Sequence, residues 1–216
     1  LASLASVRAT AAELLERFDD DDTVFVVSDH GAEAMRGAIC INDWLIQEGY
    51  LTLHTHPDGI APFDLANVDW SQTRVWGDGG YYGRIWLNVS GREPGGIVDP
   101  EDADALASEV IERLEALPAP DGTPIGTRVY RPAELWPEQN GVAPDLIAYF
   151  GNLAWRSIGS VGHDTYYTFE NDTGPDDANH SRDGMFIMAG TDLPAGERSG
   201  MRLLDVTPTI LDLFGL

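Results

Sequence analysis

Residues 23 to 31 read Thr-Val-Phe-Val-Val-Ser-Asp-His-Gly, a short apolar run followed by two side chains that can bind metal. The run from Thr23 to Val27 is β-branched, aromatic and apolar, which predicts a strand buried on both faces. Open α/β sheets bind ligands at the carboxyl ends of their strands, where Asp29 and His30 follow. Neighbouring residues on a strand point to opposite faces, so both can reach one metal only where the strand gives way to a loop. Gly31 eases that departure.

Spacing alone leaves two interpretations of the Asp29-His30 pair. A carboxylate and an imidazole suit zinc or manganese better than magnesium or calcium, which predicts a metal site. In the other interpretation, Asp29 caps the next helix and His30 hydrogen-bonds to it. A zinc site that performs chemistry usually takes three protein ligands and one open position, and His180 is the third candidate.

His180 comes from a polar segment, residues 171 to 184, which leads into another predicted strand from Met185 to Ala189. In so acidic a chain, this segment is also typical of a solvated turn. Three aspartates in it fit either surface charge or a calcium-type loop, although their spacing is not that of an EF-hand: Asp172, Asp176 and Asp177.

Weaker indicators of a site lie elsewhere in the sequence. His54 and His56 could face one metal from an extended segment, but surface polar residues are the preferred interpretation. His163 fits a pocket or a turn, and Cys40 fits a small buried residue. A group of aromatic residues is interpreted as packing on a secondary core, with a wall beside a substrate as the alternative: Trp70, Trp76, Tyr81, Tyr82 and Trp86.

Helical and strand patterns alternate along the chain. The periodicity predicts helices over about residues 3–18, 42–49, 99–117 and from 207 onward, with Asn42 as a helix cap and Gly49 as a stop. Further strands are predicted at 84–89, 128–131, 145–150 and 185–189, and an aromatic-rich excursion at about 51–82. This alternation favours an α/β layered domain with a largely parallel sheet. The first helix lacks a strand that feeds it, so we expect residues 1–216 to be the C-terminal part of one larger domain.

Charge excludes one class of function. Acidic residues number 36 against 13 basic residues, all of them Arg, and the formal net charge is −23. Such a surface repels phosphate backbones, which excludes a protein that coats nucleic acid. An anionic substrate needs a local positive centre, and a bound metal supplies one. Abundant acid without Lys suggests a halophilic source, with GC-rich codon usage as the alternative.

The cysteine count and the length of the apolar runs bear on disulfide bonds and on the cellular compartment. A single cysteine excludes an internal disulfide. No apolar run in this chain is long enough to span a membrane, so we expect a cytoplasmic location. The chain begins at Leu1, so we expect that residues precede it, and a leader or anchor among them is neither seen nor excluded.

Several stretches, taken together, resemble the alkaline phosphatase superfamily, specifically its type I phosphodiesterase/nucleotide pyrophosphatase branch. They run in the family's order over nearly the whole chain: Val26 to Gly31, Ile41 to Leu51, Asp69 to Arg74, Gly83 to Pro94, the loop ending in His180 with Asp183 to Ile187, and Asp205 to Ile210. The resemblance implies a three-layer α/β/α sandwich, present here as a C-terminal partial domain.

The same resemblance implies two divalent metal ions, zinc or manganese. It assigns Asp29 and His30 to the metal that also contacts the nucleophile, and His180 to the metal that activates water. The Ser or Thr nucleophile and the remaining ligands precede the matched segment in the family. We therefore assign no catalytic nucleophile in this chain and expect the chain alone to be inactive, or nearly so.

The implied function of the intact protein is hydrolysis of small-molecule phosphoric esters by double in-line displacement at phosphorus. Two alternatives stay open: a sulfatase or phosphomutase of the same superfamily, and a non-catalytic binding module that keeps the fold. A sheet interrupted within its domain exposes an edge or apolar surface, so self-association of this chain is also expected.

Overall fold

The computed structural model describes residues 2–170, 177–190 and 195–216, with side chains of the first helix from residue 6 onward. Within these residues the helices are α1 (Ala2–Leu15), α2 (Ile41–Gln47), α3 (Ala103–Glu115), α4 (Pro132–Leu135) and α5 (Val206–Leu213). The strands are β1 (Val24–Val27), β2 (Gly31–Ala34), β3 (Gly37–Cys40), β4 (Val75–Asp78), β5 (Gly83–Leu87), β6 (Arg128–Tyr130), β7 (Leu146–Tyr149), β8 (Trp155–Ile158), β9 (Tyr167–Thr168), β10 (Ala178–Ser181) and β11 (Phe186–Ala189).

The chain divides into two compact units. The terminal unit combines Leu1–Gly31 with Arg182–Leu216, and the central unit is Ala32–Ser181. Within the described residues, no helix is both long and apolar enough to cross a membrane.

The central unit contains a four-stranded antiparallel sheet in the order β4-β5-β7-β6. Helix α3 contacts β6 and β7. Its predicted apolar stripe is confirmed, because these residues are buried: Leu106, Val110, Leu114 and, just beyond the helix, Leu117. Residue 102 precedes the helix, so α3 begins three to four residues later than the sequence predicts, after the turn that Asp99 and Pro100 start.

A second sheet of the central unit has the order β8-β3-β9, with β3 and β8 parallel and β3 and β9 antiparallel. Helix α2 follows β3 directly, and the prediction that Asn42 caps it is wrong. Asn42 lies inside the helix, and its buried amide group hydrogen-bonds to Gly77 and Gly159 instead. The predicted stop at Gly49 is confirmed by its left-handed backbone, with φ of 76°.

Every described residue of the apolar core belongs to the central unit. The largest fully buried side chains include Trp44, Tyr50 and Phe150. Cys40 is fully buried too, as predicted for a small apolar residue.

The terminal unit pairs β1 with β11 in an antiparallel ladder that matches Val27 with Phe186. The prediction that β1 is buried on both faces is wrong, since Val26 is 40% and Val27 38% exposed. A strand is buried on both faces only when layers cover both sides, and no described residue of this unit is buried.

The α/β class is confirmed, whereas a largely parallel sheet is not. Among the described ladders whose direction is known, β3–β8 is parallel and the others are antiparallel. The alternation of helix and strand patterns does not show whether neighbouring strands run parallel or antiparallel. The length of the connection between two strands constrains their relative direction. Strands β4 and β5 are joined by residues 79–82, too short a connection for a parallel crossover.

Candidate metal centre

Asp29 and His30 lie where the sequence predicts, beyond the end of a strand. Strand β1 ends at Val27, and Ser28 to His30 have no regular structure. The Ser28 amide donates to the Met185 carbonyl at 2.9 Å, and the Met185 amide donates to Ser28 Oγ at 2.7 Å. A Cβ on Gly184 would lie 2.2 Å from the Ser28 carbonyl oxygen, so only glycine fits beside this tip.

The two side chains at the tip face one another. Asp29 Oδ1 lies 3.6 Å from His30 Nε2, and the side chains are 72% and 45% exposed, respectively. His30 Nδ1 lies 2.9 Å from the Gly31 carbonyl oxygen, which can only accept a hydrogen bond. In the neutral imidazole this contact assigns the proton to Nδ1 and the lone pair to Nε2.

This donor pair fits a single zinc or manganese ion. Two ligands about 2.1 Å from one tetrahedral zinc lie about 3.4 Å apart, close to the Asp29–His30 separation. A metal-bound His almost always donates its second ring N–H to a carbonyl or carboxylate, the role of the Gly31 carbonyl here. Nevertheless, the described residues contain no group of three or more His, Cys, Asp or Glu side chains that could hold a metal.

The alternative in which Asp29 caps a helix is wrong. The element that follows Asp29 is strand β2, which begins at Gly31, so Asp29 does not precede a helix that it could cap. His30 does approach the Asp29 carboxylate, as that alternative also required. The approach serves metal binding equally well, because it brings a nitrogen and an oxygen donor together.

His180 lies on β10, which pairs with β2. Its half-buried ring packs on Tyr81, with ring centroids 3.7 Å apart and planes tilted by 48°. The preceding Asn179 is buried, and its side chain donates to the Leu153 carbonyl at 2.6 Å and accepts from the His180 amide at 2.9 Å. Tyr81 and Asn179 therefore fix the position of the His180 imidazole.

The candidate ligands belong to different units. Asp29 and His30 stand in the terminal unit, directly before the chain passes into the central unit at Ala32. His180 stands in the central unit, directly before the chain returns to the terminal unit at Arg182. Their convergence on one pair of metals stays a prediction.

Asp29 also lines a cleft of about 990 Å³ in the terminal unit. Arginines are scarce in this chain, yet Arg182, Arg198 and Arg202 all line the same cleft. These arginines are not among the residues predicted from the sequence, although three positive charges within 21 residues of so acidic a chain are a detectable signal.

The other candidate histidines occupy surface or loop positions. His54 and His56 are exposed, in accord with the preferred interpretation. His163 lies in a loop, where its Nε2 is 2.8 Å from Ser160 Oγ. Of the loop aspartates, Asp172 and Asp176 lie outside the described residues, and Asp177 accepts a hydrogen bond from the Met35 amide through its carbonyl.

The aromatic group divides between the two interpretations. Trp70 and Trp76 pack against the core of the central unit, as predicted for a secondary core. Trp86 stacks on Trp76 across the β4–β5 ladder, with centroids 6.0 Å apart. Tyr81 instead contacts His180 and is 53% exposed, in accord with a wall beside a site.

A buried carboxylate holds the loop that contains His163. Asp43 is 2% exposed, and its Oδ1 accepts hydrogen bonds from the backbone amides of Gly162, His163 and Asp164. Burial raises the pKa of Asp43, while these amides and the nearby His163 act to lower it. Sequence reasoning missed this residue because its partners lie about 120 positions away along the chain.

Comparison with known proteins identifies the family. The family profile described as Type I phosphodiesterase / nucleotide pyrophosphatase matches residues 1–176. No curated protein and no solved structure matches the chain. The chain therefore belongs to the type I phosphodiesterase/nucleotide pyrophosphatase family, a branch of the alkaline phosphatase superfamily.

Proposed function

We propose that this member of the family is the metal-binding half of a phosphoester hydrolase of the phosphodiesterase type. In the proposal, Asp29 and His30 bind one divalent ion, and His180 binds a second. The ions are zinc or manganese, the donors being carboxylate and imidazole. In the same proposal, the nucleophile and the remaining metal ligands come from residues outside this sequence, because the stretches that resemble the family supply only Asp29, His30 and His180 as candidate ligands.

One observation carries the proposal. Asp29 Oδ1 and His30 Nε2 lie 3.6 Å apart at a strand tip, and the Gly31 carbonyl orients the imidazole. Bound divalent ions supply Lewis-acid stabilisation of the charge that develops on the phosphoryl and leaving-group oxygens.

The chain's own residues hold this arrangement. The Gly31 carbonyl fixes the His30 tautomer, and Gly184 lets the backbone of β11 approach the strand tip. Tyr81 covers one face of the His180 ring. The Gly31 carbonyl, Gly184 and Tyr81 keep the ligand side chains in place before an ion binds. This lowers the free-energy cost of ordering those side chains on binding.

The intact domain, in the same proposal, is the three-layer α/β/α sandwich of the superfamily. Support comes from apolar residues that remain exposed in the terminal unit, including Val26 and Val27 of β1 and Val7 and Leu14 of α1. A further strand beside β1 and a layer over it would bury these side chains.

Hydrolysis of bis(p-nitrophenyl) phosphate by the full-length protein with zinc tests the function. We expect turnover that disappears in Asp29→Ala and His30→Ala and persists in His54→Ala, whose side chain is an exposed imidazole of the other unit. p-Nitrophenyl sulfate serves as the comparison substrate and should react far more slowly. Zinc content at or near zero together with an inactive wild type would instead support a non-catalytic binding module.

A further inference from the structure

A serine and a histidine of the central unit that the proposed function does not use form a hydrogen bond. Ser160 Oγ lies 2.8 Å from His163 Nε2, and both residues are partly exposed. When the hydroxyl donates this bond, Nε2 is the acceptor and the ring proton of the neutral imidazole is on Nδ1. In this arrangement the imidazole can take the hydroxyl proton and so activate the serine as a nucleophile.

The loop that contains both residues is held from two sides. Between them, Val161 pairs with Ala61, and the backbone amide of each donates to the carbonyl of the other at 2.9 Å. From helix α2, Asp43 Oδ1 accepts hydrogen bonds from three successive backbone amides of the loop, including that of His163. The separation of the hydroxyl and the imidazole is therefore fixed by the backbone as well as by their own hydrogen bond.

Asp43 also contributes a buried negative charge near the histidine. The residue is 2% exposed, and its Oδ2 is buried with no hydrogen-bond partner among the described residues. Burial raises the pKa of Asp43, while the nearby His163 acts to lower it, because the carboxylate and a positive charge on this ring attract each other. The same attraction stabilises the imidazolium that forms when His163 takes a proton.

Ser160 lines a cleft of about 630 Å³, all of it within the central unit. Much of the lining is apolar or aromatic: Pro62, Phe63, Leu65, Trp76, Trp86 and Ile158. The lining includes one acid, Asp78, and one base, Arg156, so its formal charges cancel, whereas the whole chain has a net charge of −23. A neutral molecule with an apolar group therefore suits this cleft better than an anion does.

We propose that Ser160 is the nucleophile and His163 the general base of a second activity, the hydrolysis of neutral carboxylic esters that have an apolar acyl group. His163 takes the proton of Ser160 Oγ while this oxygen bonds to the ester carbonyl carbon. The bond from that carbon to the alcohol oxygen then breaks, and the imidazolium gives its proton to the departing alcohol. Water, deprotonated by the same imidazole, hydrolyses the acyl-serine and releases the carboxylic acid.

Covalent labelling of the 216-residue chain with diisopropyl fluorophosphate in EDTA tests the inference. An activated serine oxygen displaces fluoride from phosphorus, so we expect one diisopropylphosphoryl group on the peptide that contains Ser160, located by mass spectrometry. His163→Ala should slow the labelling by about 100-fold or more, the usual contribution of a general base. His54→Ala, at an exposed histidine of the same unit outside the cleft, should leave the rate within about twofold.

Hydrolysis of p-nitrophenyl butyrate, a neutral ester, provides the second readout. Turnover should fall to the rate without protein in Ser160→Ala and persist in Ser71→Ala, whose exposed hydroxyl donates to Asp69. No label on Ser160 of the wild type overturns the inference, and so do labelling and turnover that the loss of the His163 imidazole leaves unchanged. The inference goes beyond the proposed function, and because EDTA removes divalent ions, either can fail while the other stands.

Discussion

The two units differ in how their apolar residues are used. In the central unit, Trp44, Tyr50, Leu146 and others form a core from which water is excluded. In the terminal unit no described residue is buried, and Val7, Phe18, Leu204 and Phe214 are each at least half exposed. Burial of apolar surface is the main favourable contribution to folding, so the central unit holds most of the chain's stability. Two candidate ligands stand in the weaker unit and one in the stronger.

The largest expected effect is on catalytic activity, and it depends on candidate ligands from both units. In the full-length protein, His30→Ala and His180→Ala should each lower kcat/KM for bis(p-nitrophenyl) phosphate by more than about 10³-fold, and the double variant should be hardly worse than either. Substitutions of residues that act as one site have strongly non-additive effects, whereas the losses in activity from substitutions at independent sites multiply. If the losses in kcat/KM of the two single variants multiply in the double variant, or if turnover survives His30→Ala, the two residues do not act as one catalytic site.

Truncation of apolar side chains tests the difference in packing. Leu146→Ala, at a fully buried position of β7, should lower the free energy of unfolding by about 2–5 kcal/mol. Leu213→Ala, at a position 50% exposed on α5, should lower it by about 1 kcal/mol or less. Urea titration followed by circular dichroism measures both. Equal losses would show that the terminal unit has an apolar core as effective as that of the central unit.

Salt should affect the weaker unit first. At a net charge of −23, self-repulsion opposes the compact state, and molar salt shortens its range to a few ångströms. We expect the melting temperature to rise by about 5 °C between 0.1 and 2 M KCl, equivalent to about 2 kcal/mol. At low salt, limited proteolysis should cleave residues 1–31 and 182–216 before 32–181. A melting temperature independent of salt would contradict the halophilic hypothesis.

The smallest expected effect lies inside the stronger unit. Because burial raises the pKa of Asp43, the folded chain releases this proton at a higher pH than the unfolded chain does. The contribution of Asp43 to stability is therefore greatest below its unfolded pKa and declines as the pH rises through the folded pKa. Asp43→Asn keeps the oxygen that accepts three backbone hydrogen bonds and removes the charge.

Comparison of the wild type with Asp43→Asn measures the pH-dependent contribution of Asp43 to stability directly. The stability of Asp43→Asn minus that of the wild type should increase as the pH rises from below the unfolded pKa of Asp43 to above its folded pKa. Urea titrations at pH 4 and pH 7 give the two differences. A difference that falls as the pH rises would mean that the amides of Gly162, His163 and Asp164 outweigh the burial of the carboxylate.

Local signals account for what the sequence predicted correctly. The end of β1 before Asp29, the stop at Gly49 and the buried stripe of α3 each depend on residues that are neighbours in the chain. The family resemblance was likewise legible, because its motifs keep their order along the sequence, and the family match confirms it.

Long-range contacts account for what was missed. Strand β3 reads Gly-Ala-Ile-Cys, too short and too mixed to indicate a strand, and it forms because β8 pairs with it more than a hundred residues later. Asn42 looks like a helix cap locally, but Gly77 and Gly159 satisfy its amide group. Likewise, the apolar run of β1 predicts burial on both faces, which depends on layers that the run itself cannot specify.

Crystals of the zinc-loaded full-length protein, with anomalous scattering recorded at the zinc edge, test the central claim most directly. We expect two zinc peaks about 3.5–4 Å apart. One should lie about 2.0–2.2 Å from Asp29 and His30, and the other at the same distance from His180. Two peaks with neither within bonding distance of these residues, or a separation of about 20 Å between Asp29-His30 and His180, would contradict it.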